Sequence, residues 1–319
     1  MPIKQLHLAH TQGFCAGVVN AIDIVELSIL KFGTPLYVRH AIVHNTSVIK
    51  DFESRGVIFI EKLEDVPDDQ VVVFSAHGTA PDVFDLAKKR GLKIIDATCP
   101  LVTKVHRQAR RYSERGIHTI LIGHRGHQEL IGTSGYVNED LLHIVEDESD
   151  IDSLSLDSSL EVAVLTQTTL SVDDTSGLIK LLQNKFPNLV TGGKEDICYA
   201  TQNRQDAVKT LAEKCEFIII CGSANSSNSN RLVETAKDMG AESLIIDLPE
   251  EFNYELLADY EIFGISSGAS VPKYIVNRLV EKVQRLYPDV EIFQESSIEK
   301  DILFPLPKEV ADMRQKKNG

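Results

Sequence analysis

The stretch KIIDATCPLVTKVHRQARRYSERGIHTILIGHRGH, residues 93–127, holds the plan of the whole chain in small. Lys93–Ala97 reads as a short β-branched strand that runs directly into Cys99. Leu101–Glu114 carries apolar residues at spacings of three and four, the pattern of an amphipathic helix. His118–Gly123 is a second apolar strand, and it ends in a polar loop at His127. A continuous apolar strand, a helix and another such strand indicate a parallel sheet covered on both faces.

The same alternation extends in both directions. Strands are expected at Leu6–Ala9, Leu36–Arg39, Val57–Ile60, Val71–Ala76, Leu142–Val145, Glu161–Thr166, Glu216–Cys221, Ser243–Asp247 and Glu261–Ile265. Helices fit Val18–Phe32, Ala207–Lys214 and Lys273–Leu286, and residues 146–159 read as loop with a short helix and a turn. The class is α/β with mainly parallel sheets.

The 319 residues are 43% hydrophobic and 25% charged, which suits a globular protein of about two domains and excludes disorder, collagen and a disulfide scaffold. No apolar run approaches the ~20 residues that cross a bilayer, and the start resembles neither a signal peptide nor a transit segment. We therefore expect a soluble, cytoplasmic protein without membrane attachment. Lys and Arg number 33 against 47 Asp and Glu, a net charge of −14 that argues against nucleic-acid binding. A small anion remains compatible, because helix N-termini and neutral donors can hold it.

Five cysteines, Cys15, Cys99, Cys198, Cys215 and Cys221, show no Cys-x-x-Cys pair. Cys215 and Cys221 flank the apolar run Phe217–Ile220 and read as core residues. The other three each precede a helical pattern. From Cys15, 29 residues lead to His44; from Cys99, 28 lead to His127; from Cys198, 28 lead to Ser226. A third station follows at His77, Thr168 and Ser270, respectively 62, 69 and 72 residues past the same cysteines. Each station is a polar loop after a strand, where parallel α/β sheets bind ligands. This recurrence predicts three α/β domains with pseudo-threefold symmetry: 1–97, with the tail 287–319 packing back on the core; 98–195; and 196–286.

Three thiolates without a fourth protein ligand suit either an open zinc site or an iron–sulfur cluster with one iron left open. Ser226, Ser227, Asn228 and Ser270, with the imidazoles of His44 and His77, offer neutral donors at helix starts, as a diphosphate requires. Glu129, two residues after His127, is the one acid at these stations and a candidate proton donor, with Thr168 as its hydroxyl partner. Helix capping and ordinary surface roles are the competing readings for each residue taken singly.

The motifs GFCAGV, VRHAIVHN, FSAHGTAP, DATCPLVTKVH, TQTTLSVDDT, DICYATQNRQ and SSNSNRL resemble the 4-hydroxy-3-methylbut-2-enyl diphosphate reductases, the last enzymes of the methylerythritol phosphate route to isoprenoids. The resemblance spans Cys15 to about Ser270. It implies a cloverleaf of three α/β domains around a [4Fe-4S] cluster held by Cys15, Cys99 and Cys198, whose unique iron takes the substrate hydroxyl. It further implies that His44, His77, His127, Ser226, Asn228 and Ser270, with Ser227 in the same loop, hold the diphosphate, and that Glu129 and Thr168 are catalytic. The implied reaction is a two-electron reductive dehydroxylation giving isopentenyl and dimethylallyl diphosphates, with ferredoxin or flavodoxin and its reductase as donor. A zinc-dependent phosphate-ester hydrolase is the alternative. Arg107, Arg110, Arg111 and Arg115, on one helical stretch, are candidates to face an acidic donor, with a solvated helix face as the plain reading. One departure stands out: the family often has proline between the histidine and the acid, where this chain has Gln128, which predicts a freer loop.

Overall fold

The computed structural model describes residues 3–191, 196–294, 299 and 302–314. Its strands form three sheets, every recorded pairing parallel. The strands are β1 (Gln5–Leu8), β2 (Leu36–Arg39), β3 (Val57–Ile60), β4 (Val71–Phe74), β5 (Lys93–Asp96), β6 (His118–Ile122), β7 (Leu142–Val145), β8 (Val162–Thr166), β9 (Leu189–Thr191), β10 (Phe217–Cys221), β11 (Glu242–Ile246), β12 (Ile262–Ser267) and β13 (Glu291–Gln294). The sheet orders are β3-β2-β4-β5, β7-β6-β8-β9 and β11-β10-β12-β1-β13. The first four strands of each follow one plan, with β1 standing where β5 and β9 stand in theirs. The fold is three parallel-sheet α/β domains.

The N-terminal strand was expected with the first domain by chain order, but it lies in the sheet built from the end of the chain, pairing Leu6 with Phe263 and with Ile292. Strand pairing follows space, and a four-residue strand carries no local mark of which sheet it will complete. The expected tail likewise divides. Strand β13 adds to β1 in that same sheet, whereas Lys31 on α1 (Ala16–Phe32) pairs with Asp312 at 2.5 Å, and Val310 is fully buried. Part of the expected second domain, residues 192–195, lies outside the described residues.

By contacts the chain forms two compact units. The first holds the chain up to Ala16, His44–Thr46 and Tyr199–Ile302; the second holds Gly17–Val43, Ser47–Cys198 and the chain from Leu303. In the first unit, the five-stranded sheet has apolar clusters that include Leu6, Phe263 and Leu279 on one side and Val208, Ile218 and Leu232 on the other. In the second, β8 is buried along its whole length. Val164, Leu182 and Phe186 belong to one cluster beside it, and Val105, Leu121 and Leu165 to another. Burying each such side chain contributes roughly 1.5–3 kcal/mol. Among the described residues no helix is long and apolar enough to cross a membrane.

Candidate functional site

Cys15, Cys99 and Cys198 each stand immediately before a helix: α1, α4 (Pro100–Glu114) and α8 (Tyr199–Ala212). Each also follows the equivalent strand of its sheet, β1, β5 and β9 respectively. The three are held by one device. The backbone N–H of Cys15 donates to the Ala269 carbonyl, that of Cys99 to Ala76 and that of Cys198 to Thr168, each at 3.0 Å. The acceptors lie in the loops after β12, β4 and β8, the equivalent strand of each sheet. None of the five cysteines is in a disulfide. The three helix-start cysteines are partly exposed, whereas burial pushes the Cys215 and Cys221 thiols up to about 12 and leaves them as core side chains. The Cys99 loop is further shaped by Asp96, which accepts the Thr98 N–H at 3.0 Å and its hydroxyl at 2.5 Å.

In the second unit these loops are linked in a continuous path. His77 follows Ala76, and its ring meets that of His127 edge-on with centroids 6.1 Å apart. Gly78, at φ +91°, lets α4 close on this loop: a Cβ there would lie 2.5 Å from Cε1 of His106. The helix α5 (Gln128–Ser134) approaches through Gly132, whose Cβ would sit 2.9 Å from the Gly78 carbonyl oxygen. His127 caps α5, its Nδ1 accepting the Glu129 N–H at 3.2 Å. Gln128, where the family often has proline, is thus the first residue of a capped helix. Glu129 is 3% exposed. The Thr168 N–H donates to its Oε1 at 2.6 Å and the Thr168 hydroxyl to its Oε2 at 3.0 Å. Burial raises the carboxyl to about 7, against the pull of those two donors. Such a group exchanges a proton near neutrality.

In the first unit, Cys15, His44 and Ser270 meet at the loop after β12, where the Ser270 hydroxyl donates to the His44 carbonyl at 2.9 Å, one residue from the acceptor of Cys15. Ser226 caps α9 (Ser227–Asp238), accepting from the Ser229 N–H at 3.3 Å and the Ser229 hydroxyl at 3.1 Å. Capping is therefore an actual role of Ser226. Asn228 differs: it is 6% exposed, and neither its amide oxygen nor its nitrogen has a hydrogen-bond partner among the described residues. A Cβ on Gly222 or on Gly268 would collide with the Ser229 hydroxyl, so these glycines admit the start of α9 between the ends of β10 and β12. Ser227, partly exposed, opens that helix. The unpartnered amide nitrogen, a donor at a helix N-terminus, suits an anion rich in oxygen.

Sequence reasoning passed over Arg204. It is fully buried on α8, donating to the Gly13 carbonyl at 2.6 Å and the Ala200 carbonyl at 2.9 Å and pairing with Glu299 at 3.1 Å. Its signal was the polar trio Thr201, Arg204 and Gln205 at helical spacing, all buried, near the start of the helix that follows Cys198. Among the described residues no three His, Cys, Asp or Glu side chains gather as ligands of a single metal ion.

A family profile described as LytB protein matches residues 6–284. The chain belongs to the LytB family. A 4-hydroxy-3-methylbut-2-enyl diphosphate reductase from Saccharophagus degradans is 46% identical to this LytB chain over 309 residues, covering 96% of it and 99% of the relative. The enzyme of the same description from Ectopseudomonas mendocina is 48% identical over 308 residues, covering 96% and 98%. The solved structure of the E-1-hydroxy-2-methyl-but-2-enyl-4-diphosphate reductase from Plasmodium falciparum has a TM-score of 0.94 at 36% identity, covering 100% of both chains. This LytB protein is an enzyme of the oxidoreductase class.

Proposed function

We propose that the protein reduces (E)-4-hydroxy-3-methylbut-2-enyl diphosphate to isopentenyl and dimethylallyl diphosphates, using a [4Fe-4S] cluster held by Cys15, Cys99 and Cys198. The observation that carries the reading is the repeated cysteine device: three partly exposed thiols at helix starts, each anchored through its N–H to the equivalent loop of a sheet. Helix N-termini favour thiolates, the form that binds iron. In a cubane each thiolate takes its own iron, so the ligands need not gather around one ion as zinc would require. When bound, the cluster supplies electrons and an iron without a protein ligand. The reading places the enzyme in the cytoplasm, where such thiols stay reduced.

The chain's own residues bind and protonate. Asn228, Ser226, Ser227, Ser270 and His44 on the first unit, and His77 and His127 on the second, are assigned to the diphosphate. Its binding energy orients the reacting end of the substrate. Glu129, carrying its proton below about 7, gives it to the departing hydroxyl, which leaves as water as the C–O bond breaks. Thr168 holds the resulting carboxylate by both of its donors. Two electrons and a second proton, delivered to carbon, complete the balance. A ferredoxin or flavodoxin with its reductase supplies the electrons.

Anaerobic turnover with reduced methyl viologen tests the assignment. Formation of the two C5 diphosphates from the hydroxy compound is the expected result. A colourless, zinc-containing protein that leaves that compound unchanged and hydrolyses phosphate esters in air would overturn it.

A further inference from the structure

Helix α4 starts at Cys99 and presents Arg107, Arg110 and Arg111 to solvent. These residues lie at i, i+3 and i+4, neighbours on one face. None of the three has a carboxylate within ion-pair distance among the described residues, although the chain carries a net charge of −14. By contrast Arg115, one turn on, reaches Glu161 at 3.4 Å. Adjacent like charges weaken a helix by roughly 0.2–0.5 kcal/mol per pair. The helix dipole favours a cation in the last turn, which accounts for Arg111 and not for Arg107.

A second feature adjoins this face. A cavity of about 150 Å³ is lined by Asp96, Thr98, Thr103, His106, Arg107, Arg110 and Tyr136, and Oδ1 of Asp96 already accepts from the Thr98 N–H and hydroxyl. The Arg110 guanidinium lies 5.0 Å from the centroid of the Tyr136 ring, and the His106 ring stacks on that same ring with centroids 4.4 Å apart. The Tyr136 hydroxyl donates to the Thr79 carbonyl at 3.1 Å, so the platform under Arg110 is fixed. Thr98 is the residue before Cys99. At 1.5 Å per residue, Arg107 lies roughly 12 Å and Arg111 roughly 18 Å along the helix from that cysteine.

We propose that this face of α4 is the docking surface for an acidic one-electron carrier protein, with one of its carboxylates entering the cavity between Arg107 and Arg110. The proposal rests on the reductase reading, since that reaction consumes two electrons the substrate does not hold. An unpaired cationic face on an acidic protein steers an acidic partner and holds it in register. Seating the carrier on the helix that begins at a cluster ligand brings its redox centre to the side of the enzyme where electrons are needed.

The test measures binding of an acidic [2Fe-2S] ferredoxin to the cluster-loaded enzyme at low and high salt, together with turnover driven by reduced methyl viologen. The triple substitution Arg107→Gln, Arg110→Gln, Arg111→Gln is expected to weaken ferredoxin binding about tenfold or more at low salt and to flatten its salt dependence. The triple replacement of the same arginines by Lys, which keeps the charge, is expected to bind within about threefold of the unsubstituted enzyme. Both variants should keep viologen-driven turnover. Unchanged ferredoxin affinity in the Gln variant, no ferredoxin binding by the unsubstituted enzyme, or parallel loss of viologen turnover would each overturn the proposal. Absence of viologen turnover in the unsubstituted enzyme would instead reject the reductase reading, with the binding comparison still decided.

Discussion

Both carboxylate oxygens of Glu129 take a hydrogen bond from the same residue, Thr168, one from its N–H at 2.6 Å and one from its hydroxyl at 3.0 Å. The carbonyl of Thr168 in turn accepts the N–H of Cys198 at 3.0 Å. One threonine therefore sets the acid and anchors the cysteine loop. If Glu129 is the proton donor, Glu129→Gln should lower turnover by about 10²–10⁴ with little change in KM. Steady-state kinetics of the viologen-driven reaction checks this.

The pH dependence has a definite sign. Burial raises the Glu129 carboxyl from 4.5 to about 7, so the donor is protonated below that value and turnover should fall as pH rises through it. The native state binds the proton more tightly than the unfolded chain does. Its contribution to stability is full below 4.5 and is lost as pH rises to about 7. Denaturant titrations from pH 5 to 8 should show that decline, and Glu129→Gln should remove this component. Thr168→Val deletes a donor to the charged form and should move the turnover midpoint to higher pH.

Asn228 separates binding from stability. Its buried amide has no hydrogen-bond partner among the described residues, so Asn228→Leu should leave the melting temperature of the substrate-free protein unchanged or raise it. The same change should raise KM for the hydroxy-diphosphate about tenfold or more with a smaller effect on kcat. A lower melting temperature with unaltered KM would assign the residue to the fold alone.

The cysteines should sort into two classes. Cys15→Ser, Cys99→Ser and Cys198→Ser should each lose iron and visible absorption after anaerobic reconstitution. Cys215→Ala and Cys221→Ala should keep both and lose about 1–2 kcal/mol of stability through small cavities. Iron analysis and denaturant melts distinguish the two.

The close approach of α4 and the His77 loop gives a backbone test. Gly78→Ala adds a Cβ 2.5 Å from His106 at φ +91° and should cost about 1–3 kcal/mol. Calorimetry on the purified variant reads the loss.

Much of this was legible because the strands are apolar throughout and the helices between them amphipathic, as in β6, α4 and α10 (Lys273–Leu286), whose expected bounds match closely. Strands β9 and β13 escaped notice because they are three and four residues long, sit at sheet ends and include polar positions. The pairing of β1 with β12 and β13 joins the two ends of the chain, a relation that periodicity does not encode. Within the candidate site, the nearly equal first spacing from each cysteine, and the recurring order of polar loops after it, singled out the loops. The pair of hydrogen bonds from Thr168 to Glu129 needed coordinates, since a helix start and a strand end 39 residues apart in sequence bear no mark of contact. Arg204 stayed hidden because a charged residue inside a helix ordinarily reads as surface.

The central claim is that three cysteines hold a cluster with one iron open to substrate. Mössbauer spectroscopy of the anaerobic, ⁵⁷Fe-loaded protein, before and after addition of the hydroxy-diphosphate, tests it most directly. The account predicts a four-iron spectrum in which one site differs from the other three and changes on adding that compound. Four equivalent irons indifferent to the compound, or no iron retained by these cysteines, would contradict it.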